Sequence, residues 1–141
     1  MVDLTDFQTS SVEAIGAAVQ AGELSARTLT EASLAAIAAH DGTLNAFVAV
    51  DGEGAVAQAD AIDARIAAGE SVGPLAGVPI GVKDLEDAAG FRTTRGAAHL
   101  ADSPVVDADA TEVARLRAAG CVVIGKTNTP EAGFVLSLIH I

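Results

Sequence analysis

The chain has 141 residues, which is enough for one domain with a hydrophobic core. Half of its residues are apolar but only 3% are aromatic, so the core must be built mainly from Ala, Val, Leu and Ile. The formal charge of -11 disfavours binding to nucleic acid or to an anionic membrane. The sequence has no secretory signal pattern and no membrane-spanning run, and its single cysteine cannot form an internal disulfide, so we expect a cytoplasmic protein.

The first half of the chain is predicted to be mainly helical. Ser10 and Glu13 have the spacing of a capping box, in which a hydroxyl and a carboxylate each satisfy an orphan amide at a helix start. Ser25 can cap a second helix, which we expect to pair with the first. The predicted elements are helices over 10–21 and 25–42, a short strand over 46–50 and a helix over 56–69.

A further strand is predicted over 78–84. Its alternation puts two sets of residues on opposite faces: Val78, Ile80 and Val82 on one, and Pro79, Gly81 and Lys83 on the other. Lys83 stands at the carboxyl end of this strand, which is where open α/β sheets bind their ligands. A lysine at a strand end is more often simply solvated, so its position alone leaves both interpretations open.

The chain from 85 to 124 completes a βαβ unit. An irregular segment over 85–107 is followed at Asp109 by a second capping-box-like pattern, which predicts a helix that ends at Gly120. A strand over 121–124 comes next. Because the order is strand, crossover helix and strand, we expect two parallel strands and an α/β class.

The residues from Gly120 to Thr127 match the phosphate-binding string G-x-x-x-x-G-K-[ST]. A nucleotide-binding protein that uses Lys126 and Thr127 is therefore one alternative function. In such a loop the lysine opens a helix, whereas here the four middle residues are strand-like and Pro130 comes too soon for a helix to continue. The pattern favours a helix cap, a buried strand and a turn.

No metal site is predicted. The three histidines, His40, His99 and His140, are far apart, and none has a second His or Cys at metal-ligand spacing. The acidic residues are scattered over helix faces, and no paired-carboxylate site can be argued from them. Cys121 lies in an apolar run and is predicted to be a buried small hydrophobe.

Several linked segments resemble the amidase-signature family. They are GPLAGVPIGVKD at 73–84, TTRG at 93–96, DATEVARLRAAG at 109–120 and GKTNTPE at 125–131. The upstream helices and LNAFV at 44–48 also resemble the usual beginning of that family, so the likeness extends from about residue 4 to Phe134. A set of motifs in the right order and spacing is more specific than any one of them.

The resemblance implies a Ser-Ser-Lys triad in which Lys83 matches the catalytic lysine. That lysine would take a proton from a serine in a cis peptide, which takes one from the nucleophilic serine that attacks an amide carbonyl. A lysine accepts a proton only when neutral and its reference pKa is about 10.4, so the site must favour the uncharged form. The implied substrate is a small-molecule amide, the products are an acid and ammonia or an amine, and no cofactor is implied.

The glycine-rich Ser-Ser region of the family, which supplies the nucleophile and the oxyanion amides, has no counterpart here. Ser137 is the only serine beyond Lys126, and its leucine neighbours provide no glycine-rich turn. We therefore expect 1–135 to be the N-terminal part of an incomplete amidase domain, inactive by itself. Residues 136–141 are one translation of a transposon end used to prepare sequencing libraries, which predicts a non-native tail.

The predicted architecture is α/β, with N-terminal helices beside the first parallel strands of a larger mixed sheet flanked by helices. Missing strands would leave an open sheet edge, which predicts poor solubility in isolation. Within the family the alternative is the glutamine-hydrolysing component of a tRNA-dependent amidotransferase, although Leu85 stands where those proteins often have Asn. A noncatalytic interaction module is a further alternative. Thr93, Thr94 and Asn128 are candidates for the edge of the site, but turn chemistry explains them equally well.

Overall fold

The computed structural model describes residues 10–134 and confirms the α/β class. The elements in chain order are α1 (Val12–Gln20), α2 (Ala26–Leu44), β1 (Phe47–Val50), α3 (Gly52–Ala67), β2 (Pro79–Lys83), α4 (Thr111–Ala118) and β3 (Val122–Thr127), with 3-10 turns at Ala98–Leu100 and Glu131–Gly133. The predicted tail over 136–141, with Ser137 and His140, lies outside the described residues and stays a prediction.

The three strands form a mixed sheet in the order β1-β3-β2. Strand β2 pairs with β3 in parallel, as the βαβ pattern predicted, and β1 pairs with β3 antiparallel. In the parallel pair, the Cα partners run from Pro79 with Val122 to Lys83 with Thr127. The carboxyl ends of β2 and β3 therefore lie side by side at one edge of the sheet.

Two hydrophobic clusters stabilise the fold. The larger one packs α1, α2 and α3 against the sheet, and it includes Val19, Leu29 and Val122, none of which is exposed. The smaller one includes Phe91, before α4, and Val113 on that helix. Burying a Val, Leu or Phe side chain contributes about 1.5–3 kcal/mol, so these two clusters hold the helices to the strands. Among the residues described, no helix combines the length and the apolar character that crossing a bilayer requires.

Two of the predicted helix caps are wrong in detail. The hydroxyl that caps α1 belongs to Ser11, not Ser10, and it accepts a hydrogen bond of 3.2 Å from the amide three residues on. Asp109 does not cap α4. Its carboxylate instead accepts the Ala89 amide at 2.7 Å and forms an ion pair with Arg117 at 3.0 Å, so it joins the preceding loop to the helix.

Helix α2 begins as predicted but ends later and packs differently. The Ser25 hydroxyl caps it, and the helix continues two residues beyond the predicted end, to a left-handed C-cap at Asn45 with φ of 51°. Its main partner is α3, so the expected pairing with α1 is wrong. The Asp63 carboxylate of α3 accepts the hydroxyl of Ser25, and Arg27 forms an exposed ion pair with Asp60 at 2.7 Å. These polar bonds fix the two helices side by side.

The strand faces also depart from the simple alternation. Val78 precedes β2 and joins the larger cluster, Val82 belongs to the smaller one, and Ile80 contacts both, so the prediction of one shared face is wrong. The register shift after Ile80 accompanies this change. The turn expected after residue 124 is also wrong, because β3 continues to Thr127 with a hydrogen-bonded strand on each side.

Candidate active site

Lys83 is the last residue of β2, at the sheet edge where β3 also ends. Its side chain is exposed, and within residues 10–134 its amine forms no hydrogen bond or ion pair. The residues on either side of it, Val82 and Asp84, are both buried. The amide of Asp84 donates a 2.9 Å hydrogen bond to the carbonyl of Thr127, so the chain remains attached to β3 after the strand ends. The backbone of Lys83 is thus fixed while its side chain is free.

A buried ion pair lies directly beside Lys83. Nζ of Lys126 is 3.1 Å from Oδ1 of Asp84, and neither side chain is exposed to solvent. The same amine donates to Oγ1 of Thr93 at 2.9 Å and to the carbonyl of Arg92 at 3.3 Å. An ammonium group has three N–H donors, and all three have acceptors here. Lys126 is therefore a fully satisfied cation.

The carboxylate of Asp84 organises the loop that follows β2. It accepts the amide of Thr94 at 3.1 Å, the Thr94 hydroxyl and the Gly96 amide at 3.5 Å, in addition to Lys126. Burial alone raises the pKa of Asp84, but the Thr94 hydrogen bonds and the Lys126 cation outweigh it, so that the pKa is lowered. Asp84 is therefore an anion that joins the loop 92–96 to the end of β3.

The loop also reaches the segment after β3 through two left-handed residues. Arg95, with φ of 53°, donates its amide to the carbonyl of Asp84 at 3.0 Å. Its carbonyl accepts the amide of Ala132, which has φ of 52°, at 2.7 Å. Non-glycine residues with positive φ are uncommon and each costs about 1 kcal/mol or more, so the surrounding hydrogen bonds must compensate. The three segments at this sheet edge form one bonded unit.

The main partner in this network, Lys126, was not predicted as a site residue. Its sequence matches a phosphate-binding string and the motif at 125–131, whereas the structure places it inside a strand with its amine occupied by Asp84. A phosphate cradle needs an exposed loop and a helix start, which this arrangement does not provide. The available signal was the position of Asp84 at the end of an apolar strand. An aspartate that is buried there requires a cation or several amides.

The three residues proposed for the edge of the site have different roles. Thr93 and Thr94 bind Lys126 and Asp84, so they support the buried pair. Asn128 acts in a turn, because its Oδ1 accepts the amide of Thr129 at 2.9 Å and its Nδ2 donates to a carbonyl at the end of α2. In the described part of the chain no three His, Cys, Asp or Glu side chains are grouped as metal ligands would be.

Comparison with known proteins gives consistent matches. The family model Amidase matches residues 28–140. One relative is the glutamyl-tRNA(Gln) amidotransferase A chain of Salinispora arenicola (strain CNS-205). It is 48% identical over 129 residues, which cover 91% of this chain and 26% of that protein.

Solved structures match the fold as closely. Native peptide amidase from Stenotrophomonas maltophilia superposes with a TM-score of 0.82 at 39% identity, over 92% of this chain and 26% of that one. A chain from a vestigial protein complex related to the origins of an s-triazine catabolic enzyme has a TM-score of 0.82 at 43% identity, over 86% and 27%. The chain thus spans about a quarter of the length of the proteins it matches.

Proposed function

Because the chain belongs to the amidase-signature family, we propose that the full-length protein hydrolyses a carboxylic amide and that Lys83 is its catalytic base. The observation that carries the proposal is the place of Lys83 in the segment GVKD. There it is the free amine at the carboxyl end of β2, between two buried residues and beside a satisfied ion pair. Ligands of open α/β sheets bind at such strand ends.

The proposed chemistry is acyl transfer through a serine. Lys83 in its neutral form takes a proton from a bridging serine, and that serine takes a proton from the nucleophilic serine as it attacks the amide carbonyl. The tetrahedral intermediate collapses with loss of ammonia or an amine, whose nitrogen takes a proton from the bridging serine, which in turn regains one from Lys83. Water then hydrolyses the acyl-enzyme to the acid. Both serines would come from the part of the protein beyond residue 134, so residues 10–134 supply the base and its support.

Two substrate classes fit the family. A stand-alone amidase would act on linear amides, as a peptide amidase does. The corresponding component of an amidotransferase would hydrolyse glutamine beside partner proteins, and the 48% identity to a protein of that name favours this second candidate more than Leu85 counts against it. Co-purification separates the two, because an amidotransferase component is expected to retain partners while a stand-alone amidase is not.

We also propose that residues 1–135 are the N-terminal part of a longer domain and that 136–141 are a non-native tail. Sequencing the source locus past Phe134 tests both statements. A glycine-flanked pair of serines in the same reading frame supports them, whereas a natural stop codon directly after Ile141 contradicts them. A monodisperse chain of 141 residues that melts cooperatively would favour the noncatalytic interaction module instead.

The catalytic proposal is tested in the full-length protein by replacing Lys83 with Met, which keeps the length of the side chain and removes the amine. We expect hydrolysis of a panel of amides and of glutamine to fall by at least about 10³-fold, with an unchanged circular dichroism spectrum. The matched control is Arg27→Met, which removes a cation from the exposed helix surface and should keep full activity. Undiminished activity of Lys83→Met refutes the role of Lys83.

A further inference from the structure

We propose that the buried pair of Asp84 and Lys126 is the positioning element for Lys83, because it fixes the backbone on both sides of that residue. The inference rests on the proposed function and adds two residues to it. Neither of them touches the substrate. Both act through Lys83, one as its neighbour in sequence and the other from the adjacent strand.

The backbone is bonded on both sides of Lys83. Val82 is the Cα partner of Lys126 across β2 and β3, and Lys83 is the partner of Thr127. Asp84 is then held through its amide by Thr127 and through its carboxylate by Lys126 and Thr94. A strand end normally frays, but this one is bonded before and after its last residue. The side chain of Lys83 is the part left free to meet the substrate serines.

The pair supports this strand end from the face opposite the Lys83 side chain. Val82 and its cross-strand partner Lys126 share one face of the sheet, and Lys83, as the next residue, points to the other. The pair can therefore hold the backbone without occupying the space in which the Lys83 amine would meet the serines.

Other charged groups near the pair are less able to hold the backbone in place. The elements packed around the pair carry Glu86, Asp87, Arg92 and Arg95 in the loop after β2 and Glu131 after β3, and none of the five is buried. Solvent and salt screen such charges strongly. Asp84 and Lys126 are the two charged side chains with no exposed surface in the described part of the chain.

The test uses the full-length protein and compares kcat with KM. Asp84→Glu keeps the charge but displaces the carboxylate from the Thr94 amide and from Lys126. Because Lys83 would lose its position without a change in the substrate contacts, we expect kcat to fall at least about tenfold with an unchanged KM. A merely structural role predicts a lower unfolding midpoint with an unchanged kcat.

Asp109→Glu is the matched control, because Asp109 also accepts an amide and pairs with a cation, but it joins α4 to Ala89. It should leave kcat unchanged. If Asp84→Glu does not fold, Thr94→Val removes the hydroxyl donor to the carboxylate and should lower kcat with an unchanged KM.

The outcomes separate this inference from the proposed function. If Lys83→Met is inactive but Asp84→Glu keeps the original kcat, the positioning role is refuted and the base stands. An active Lys83→Met variant refutes the function itself, whatever the pair does.

Discussion

Replacing Lys126 with Met should destabilise the fold far more than removing any surface cation. Met retains most of the buried volume, but it removes the ammonium and leaves the Asp84 carboxylate without its cation in a site with no solvent exposure. It also leaves the Thr93 hydroxyl and the Arg92 carbonyl without their donor. Breaking a buried ion pair from one side costs about 3–5 kcal/mol, which is a large share of the total stability of a small domain.

The matched variant is Arg27→Met, which removes a cation from an ion pair of similar length whose side chains are 48% and 49% exposed. Solvent-exposed pairs contribute little, so its unfolding midpoint should stay within error. Urea unfolding followed by circular dichroism at micromolar concentration compares the two. With an m-value of about 1.5 kcal/mol/M, Lys126→Met should lower the midpoint by about 2 M or more. Equal midpoints for the two variants would refute the argument that burial makes the Asp84–Lys126 pair essential.

Three further outcomes follow from the structure. Because the pKa of Asp84 is lowered, its ionised form stabilises the fold above the ordinary aspartate pKa of about 3.9, and this stability is lost as the pH falls through the lowered value. When the free energy of unfolding is measured against pH, Asp84→Asn should lack that acid loss. Gly120→Ala should cost more than about 1 kcal/mol in urea unfolding, because Gly120 has φ of 101° and a Cβ there would lie 2.9 Å from Cα of Ala76. Gly42→Ala is the control, because Gly42 lies inside α2 with open space around it, and this variant should gain about 0.5–1 kcal/mol. Burial raises the pKa of the Cys121 thiol, which is 4% exposed, so a thiol reagent at a pH of about 7.5 should label it only after unfolding; rapid labelling of the folded chain would contradict its placement in the core.

The sequence predicted the elements better than their partners. Helical spacing of apolar residues and the glycines at 22, 69 and 120, all with positive φ, located the helices to within a few residues. The order of strand, helix and strand predicted the parallel pair of β2 and β3. These features are local, because capping, periodicity and glycine turns depend on residues close in sequence. The choice of α3 as the partner of α2 was not predictable, because it depends on contacts such as Ser25 with Asp63 across 38 positions.

The site divides in the same way. The proposal that Lys83 is the base comes from a motif, and a motif is a local string that the sequence shows directly. The pair of Asp84 and Lys126 joins residues far apart in the sequence, and only the parallel register brings them together. The string from Gly120 to Thr127, which contains Lys126, suggested phosphate binding instead. A charged residue in an apolar strand is a signal of a buried partner, but the identity of that partner requires the register.

The exposure of Lys83 and the burial of Lys126 are two results of one arrangement. At the end of β2 and β3, four backbone or side-chain groups bind the Asp84 carboxylate, and one of them is the Lys126 amine. Both buried charges therefore have a partner, whereas the Lys83 amine has none among residues 10–134. Lys83 can therefore respond to whatever groups are brought against the sheet edge without first breaking a bond in the support. If Lys83 were instead a bonded member of this network, replacing it would lower the stability of the fold together with the activity. An inactive Lys83→Met variant with an unchanged unfolding midpoint is incompatible with that, and so it discriminates between the two arrangements.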